Sequence, residues 1–174
     1  MNQMVKIYLV RHAEAQGNVE EFFQGHIDTD VSEKGRKQLE CLAERFKDIP
    51  IEEVYTSPLR RARATAEAVN KYHRLPLTVD PHIIEIYAGD WEGVRWSELP
   101  EKFPHEYELW SKQINKFKAP HGESTRQVYD RMKLAMRNIA AENNGKTIAV
   151  ISHGMAIKAV SYTHLRAHET AANL

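Results

Sequence analysis

The chain is 174 residues long, the length of one domain, and its 42% hydrophobic and 28% charged content is that of an ordinary globular protein. Its 24 basic residues balance 24 acidic ones, which gives no support for a nucleic-acid-binding or membrane-surface protein, so an anionic ligand must be drawn by a local cluster. No stretch reaches transmembrane length, the start lacks a charged-then-apolar leader, and the lone cysteine, Cys41, excludes an intramolecular disulfide; a cytoplasmic location is the expectation, and oligomeric state is left open.

A strand is predicted over Val5–Val10, running into Arg11-His12-Ala13. Leu39, Leu42, Ala43 and Phe46 recur at i, i+3, i+4, i+7 spacing and predict a helix. Ser32 caps it and Pro50 ends it, and Cys41 within it reads as a buried structural thiol. Glu53–Thr56 is a second strand. The next helix is expected to open at Ser57-Pro58, a capping serine with proline at the first helical position; its apolar face is Ala62, Ala66, Val69 and Tyr72. Leu77–Val79 reads as a short strand. From Trp91 to Gly122 come Pro100, Pro104 and Pro120, the aromatics Trp96, Phe103, Tyr107, Trp110 and Phe117, and Lys112, Lys116 and Lys118. Such an excursion is either a substrate lid or a helical cap without a ligand role. Ser124 and Gln127 form a capping box for a helix with Val128, Met132, Ala135, Met136 and Ile139 on its core face. A last strand, Thr147–Ser152, runs into His153-Gly154. Strands alternating with helices argue for a three-layer α/β/α sandwich around a mostly parallel sheet.

Two histidines thus stand just past the ends of strands, where ligand sites form in open α/β sheets. With Arg11 beside one of them, they make a phosphate pocket in which one imidazole is free to act as nucleophile. His26, His73, His82, His105 and His121 occupy no motif position. Most are expected to face solvent, none has metal-ligand spacing, and no metal or cofactor is expected.

Five segments stand in order: RHAEAQGN at 11–18, YTSPLRRARATAE at 55–67, EIYAGDWEG at 85–93, GES at 122–124 and SHG at 152–154. Together, over Val5 to Ala159, they resemble the histidine phosphatase superfamily, in the branch that holds cofactor-dependent phosphoglycerate mutase and its small phosphatase relatives. The resemblance implies a phosphoglycerate mutase-like fold and makes His12 the nucleophile that accepts the phosphoryl group. Imidazole suits that role because it is partly neutral near pH 7. The resemblance also implies that Arg11 and Arg61 clamp phosphoryl oxygens with paired donors. Asn18 adds an amide donor, and His153 adds another donor and a charge. Glu85, first in the E-x-x-x-G-x-W-E-G pattern, becomes the general acid that protonates the departing alkoxide. Gln24 and Gly25 match a segment that often touches the rest of the substrate. Glu92 and Glu14 are nearby carboxylates, and Glu14 is taken as structural. Arg60 and Arg63 share the first helical turns with Arg61 and are expected at the surface.

Departures from the family pattern are Ala13, where glycine is usual, and Ala15, where threonine is common. Alanine at position 13 is tolerable if φ is negative there. The implied function is a phosphatase that hydrolyses a small phosphorylated metabolite through a phosphohistidine. The alternatives are a phosphoglycerate mutase, although family mutases are longer, and a non-catalytic phospho-ligand binding module, which would need no general acid. The family continues past the SHG segment with a helix and at least one more strand. Here Val160 to Thr170 reads VSYTHLRAHET, which resembles one frame of a translated transposon-type sequencing adapter. The expectation is a C-terminally truncated histidine phosphatase domain over 1–159 and a non-native tail over 160–174. His164 and His168 in that tail are given no function.

Overall fold

Four strands form one parallel sheet in the order β1-β4-β2-β3 in the computed structural model, which describes residues 4–161. They are β1 (Lys6–Arg11), β2 (Glu53–Thr56), β3 (Leu77–Val79) and β4 (Thr147–Ser152), each within a residue of its predicted span. The central strand β4 is buried from Ile148 to Ser152, as a strand covered on both faces must be. Its alternating side chains divide between two cores. Ile148 and Val150 face one with α6 (Thr125–Glu142), α7 (residues 154–161) and the aromatic excursion. Ala149 and Ile151 face the other with α2 (Glu33–Phe46) and α3 (Arg60–Asn70). The period-2 geometry of a strand thus builds the three-layer sandwich. Most of the expected tail, with His164 and His168, lies outside the described residues; Val160 closes against the first core.

Local signals set most helix ends. Ser32 Oγ accepts from the Gly35 N–H at 3.0 Å and caps α2. The helix stops at Phe46, four residues before Pro50, because Lys47 N–H already closes a tight turn on Glu44 O. Cys41 is exposed, contrary to expectation. It stands two positions from both Leu39 and Ala43, which on a helix is the opposite side. The start of α3 also differs: Leu59 is its N-cap, and Ser57 makes only a long contact with the Leu59 N–H, at 3.4 Å. Tyr72 falls beyond the helix and is exposed. Ser124 and Gln127 form the capping box of α6 as predicted. On its face Val128, Met132, Ala135 and Ile139 are buried and Met136 is partly so.

The excursion contains two short helices, α4 (Leu99–Lys102) and α5 (Pro104–Lys112); the four-residue α1 (Gln16–Val19) follows the first histidine. Trp91, Trp110 and Phe117 pack ring against ring at 4.9–5.8 Å, and Phe23 joins Trp91 and Trp110 from across the chain. Gly89 lies in the left-handed region at φ +52°, where a Cβ would strike the Pro120 carbonyl. Glycine there lets the 85–93 segment pack directly on the 120–122 segment.

Candidate active site

The parallel pairing of β1 with β4 sets Arg11 opposite Ser152, and the His12 N–H donates to Ser152 O at 3.0 Å. The residue that follows each strand is therefore a histidine beside a histidine. The His12 and His153 rings lie 5.1 Å apart at 55°. Above His12 opens a cavity of about 180 Å³ that Arg11, Asn18, Arg61 and Glu85 also line, together with Gln24 and Gly25. The sequence-predicted residues are thus brought to one place, with His153 fully buried beside them. A larger groove, about 450 Å³, runs along the outer face of α2 past Lys37, Cys41 and Arg45; its lining holds neither an acid nor a histidine.

His12 is nine-tenths covered, and its Nδ1 lies 2.6 Å from the Ala13 carbonyl oxygen. A carbonyl only accepts, so Nδ1 carries the hydrogen and Nε2 is left with the lone pair. Burial pushes the His12 pKa down to about 4; the Ala13 contact opposes this, and the Arg61 and Arg11 charges reinforce it. The ring is consequently neutral at pH 7. Ala13 does not adopt positive φ, and its N–H donates to Thr65 Oγ1 at 3.0 Å, so the residue that replaces the usual glycine is accommodated without backbone strain.

Arg61, in the first turn of α3, is fully buried. Its Nη1 and Nη2 donate to Ile27 O at 2.7 Å and Gly25 O at 2.8 Å, while its Nε has no partner among the described residues. Those two carbonyls aim the guanidinium and leave N–H donors for an anion. Gly25, at φ +50°, permits this turn because a Cβ would run into the Glu92 carboxylate. Arg11 is exposed and crosses Gly154, where a Cβ would stand 3.4 Å from its Cζ. Asn18 Oδ1 accepts from the Ala15 N–H at 2.9 Å, which leaves its NH₂ as the donor.

Glu85 is held by three backbone N–H groups. Oε1 accepts from Ile86 at 2.9 Å and Ala156 at 3.0 Å, and Oε2 accepts from Met155 at 3.1 Å. Its competitors are occupied elsewhere. Glu92 Oε1 accepts from the His26 and Ala88 N–H groups, and Glu14 accepts from Ser32 Oγ and Lys34 Nζ. Of the three carboxylates, Glu85 alone lines the cavity. Arg60 is exposed and pairs with Asp28 and Asp30, and Arg63 is also exposed.

His153 departs from the expectation of a charged side chain. Burial first, with the Arg61 guanidinium charge alongside, holds it well below the ordinary histidine range, so it is a neutral imidazole at pH 7.

Sequence reasoning missed several participants. Phe22 and Phe23 join Trp96 and Trp110 of the excursion along the cavity wall, and Met155 and Lys158 line it from α7. The excursion is therefore both a packed cap and part of the pocket. Arg131 of α6 donates to Ile84 O, Glu85 O and both Glu123 oxygens at 2.7–3.0 Å, and His26 Nε2 donates to the same Glu85 O at 2.8 Å. A signal for Arg131 existed: it stands three residues after Val128 and four before Ala135, a charge inside an apolar stripe. Among the described residues, no group of three His, Cys, Asp or Glu side chains is placed to hold a metal ion, and no helix is long and apolar enough to cross a membrane.

An α/β fold that gathers His12, Arg11, Arg61 and Glu85 around a small cavity, with His153 buried beside it, has the groups that phosphoryl chemistry needs. The family model of the histidine phosphatase superfamily (branch 1) matches residues 7–173, and the chain belongs to that superfamily. It is 34% identical over 157 residues to phosphoserine phosphatase 1 of Hydrogenobacter thermophilus, covering 90% of this chain and 74% of that one. It is likewise 34% identical to the metal-independent phosphoserine phosphatase of Arabidopsis thaliana, covering 91% and 68%. Among solved structures, Bacillus stearothermophilus YhfR superposes with a TM-score of 0.87 at 30% identity, covering 91% of this chain and 79% of the other. The protein is a phosphoric monoester hydrolase of the small-molecule type.

Proposed function

We propose that the chain hydrolyses a small phosphomonoester in two steps through a phosphohistidine at His12. His12 Nε2 attacks phosphorus while Glu85 gives its proton to the leaving oxygen, which departs as the alcohol. Water then attacks the phosphohistidine, Glu85 takes a proton from it, and inorganic phosphate leaves with His12 restored. Arg11, Arg61, Asn18 and His153 hold the equatorial oxygens throughout, as preorganised donors do in phosphoryl transfer. The observation that carries this reading is the His12 Nδ1–Ala13 O contact of 2.6 Å. It leaves a bare Nε2 on a neutral ring beside two cationic side chains.

The cavity volume, about 180 Å³, lies below the ~300–1,000 Å³ of pockets for drug-sized ligands. This favours a substrate with few atoms beyond the phosphoryl group over a nucleotide or cobalamin precursor. The relatives' names make phosphoserine the first compound to test. A cytoplasmic setting forms part of the same proposal.

Rapid quenching during turnover should trap acid-labile, alkali-stable phosphate on the protein. Label that survives in His12→Ala, or that resists acid, would remove His12 from the nucleophile's role. Activity should also withstand excess chelator, because two guanidinium groups already supply the positive charge that a divalent ion would bring. Loss of turnover that is restored by added magnesium or zinc would call for a different mechanism.

A further inference from the structure

A neutral imidazole offers one N–H and one lone pair, and which nitrogen carries the hydrogen is decided by the partner of the other. For His12 the Ala13 carbonyl decides it. For His153 the partner is Ser57, whose Oγ lies 2.6 Å from Nε2 with both residues fully buried. The two are brought together by the sheet. β2 and β4 are parallel neighbours with Thr56 opposite Ile151, and the Ser57 N–H continues the ladder to Ile151 O at 3.0 Å. Ser57 thus follows its strand as His153 follows the adjacent one.

A serine hydroxyl can donate once and accept twice, so the direction of this bond follows from where the other hydrogens go. Ser57 Oγ already receives the Leu59 N–H. If His153 donated to it as well, the hydroxyl hydrogen would need another acceptor, and none is in hydrogen-bond range among the described residues. If the hydroxyl donates to Nε2, its hydrogen is satisfied and Nδ1 carries the ring hydrogen. Nδ1 is buried and has no partner among the described residues. A donor there suits a phosphoryl oxygen, whereas a lone pair would repel one.

We propose that Ser57 is a positioning residue: its hydroxyl donates to His153 Nε2 and holds His153 in the Nδ1–H tautomer, ready to donate to the transferring phosphoryl group. The two neutral imidazoles then stand in complementary states, with His12 presenting a lone pair and His153 an N–H. The inference rests on the phosphoryl-transfer reading of the site, but the tautomer is observable without turnover.

The direct test is long-range ¹H–¹⁵N correlation of the histidine rings in the wild-type chain, with His153 assigned by the signals lost in His153→Gln. The expected pattern is pyrrole-like Nδ1 and pyridine-like Nε2; hydrogen on Nε2 overturns the proposal whatever His12 does. In Ser57→Ala the pattern should become mixed. Its kcat should fall roughly 10- to 100-fold, short of the ~10²–10³ for outright loss of a transition-state donor. KM should change little, and orthovanadate should bind more weakly by a similar factor. Ser57→Thr, which keeps the hydroxyl, should restore both tautomer and kcat. Wild-type kcat and vanadate affinity in a folded Ser57→Ala would also overturn the proposal. Failure of the His12 label with the expected His153 pattern would instead refute only the mechanism proposed for His12.

Discussion

At the scale of single residues, the site separates side chains that look alike in sequence. Glu14, Glu85 and Glu92 all fall within or beside motifs, yet only Glu85 reaches the cavity. Glu92 ties the His26 and Ala88 N–H groups, and Glu14 ties Ser32 at the mouth of α2. A proton donor matters in proportion to the basicity of what leaves. An alkyl phosphate releases a strongly basic alkoxide, whereas a nitrophenyl phosphate releases a weak base. Glu85→Gln retains size and an acceptor oxygen but cannot deliver a proton. It should slow an alkyl ester by about 100-fold or more, in the general-acid range, and slow the nitrophenyl ester much less. Glu14→Gln and Glu92→Gln should leave the ratio of the two rates unchanged. Equal losses on both esters in steady-state assays of Glu85→Gln would make Glu85 a positioning group and return the search for the acid to its neighbours.

At the scale of elements, what was legible in the chain was what is local. The unbroken apolar run of β4, the i, i+3, i+4 stripe of α6 and its Ser124–Gln127 box all lie within a few residues of the groups they bond, so pattern alone reveals them. The misreadings were long-range. Ser57 looked like a cap for α3 because Pro58 follows it, but its partner is His153, 96 residues away. Arg131, on which the sequence yielded no reading, reaches Glu85 across 46 residues; its place in an apolar stripe marks the residue but not its partner. Cys41 was misplaced for a different reason: residue type suggested burial, and helical phase overruled it. The Arg131 contacts join α6 to the segment that carries Glu85. Burial works against the Glu123 charge, but hydrogen bonds from Arg131 and the Tyr87 N–H keep its carboxyl below the ordinary range. Arg131→Met would leave Glu123 and the Ile84 and Glu85 carbonyls without this donor. Urea unfolding should show a loss of about 3 kcal/mol, at the low end for breaking a buried pair because both side chains keep some solvent contact. Arg131→Lys should recover part of that loss. A change below about 0.5 kcal/mol, the range of ordinary surface substitutions, would show that the aromatic core alone holds the segment.

At the scale of the whole molecule, two histidines kept neutral at the junction of both cores make stability depend on pH. His12 has its folded-state pKa lowered from 6.5 to about 4, by burial first of all, and His153 is shifted in the same direction. Between those values the unfolded chain binds protons that the folded chain refuses, so acidification favours unfolding. Stability is therefore fully present above pH 6.5 and declines as pH falls toward 4. Each pKa unit is worth 1.36 kcal/mol, so His12 alone would contribute on the order of 3 kcal/mol across this window. The lowered carboxyl groups Glu14, Glu98 and Glu123 act in the same sense, but only below the ordinary carboxylate range, which separates their effect from that of the histidines. Urea unfolding at pH 7.0, 6.0 and 5.0 should show a steady loss of stability before the carboxylates titrate. His12→Asn, which cannot take up the proton on unfolding, should flatten that slope even if it changes stability at pH 7. A wild-type profile that is level from pH 7 to 5, or an unchanged slope in His12→Asn, would mean that His12 accepts its proton as readily in the folded protein as in the unfolded chain. Burial would then not be what keeps the His12 ring neutral, and the nucleophile would be only partly neutral near pH 7, as an ordinary imidazole is.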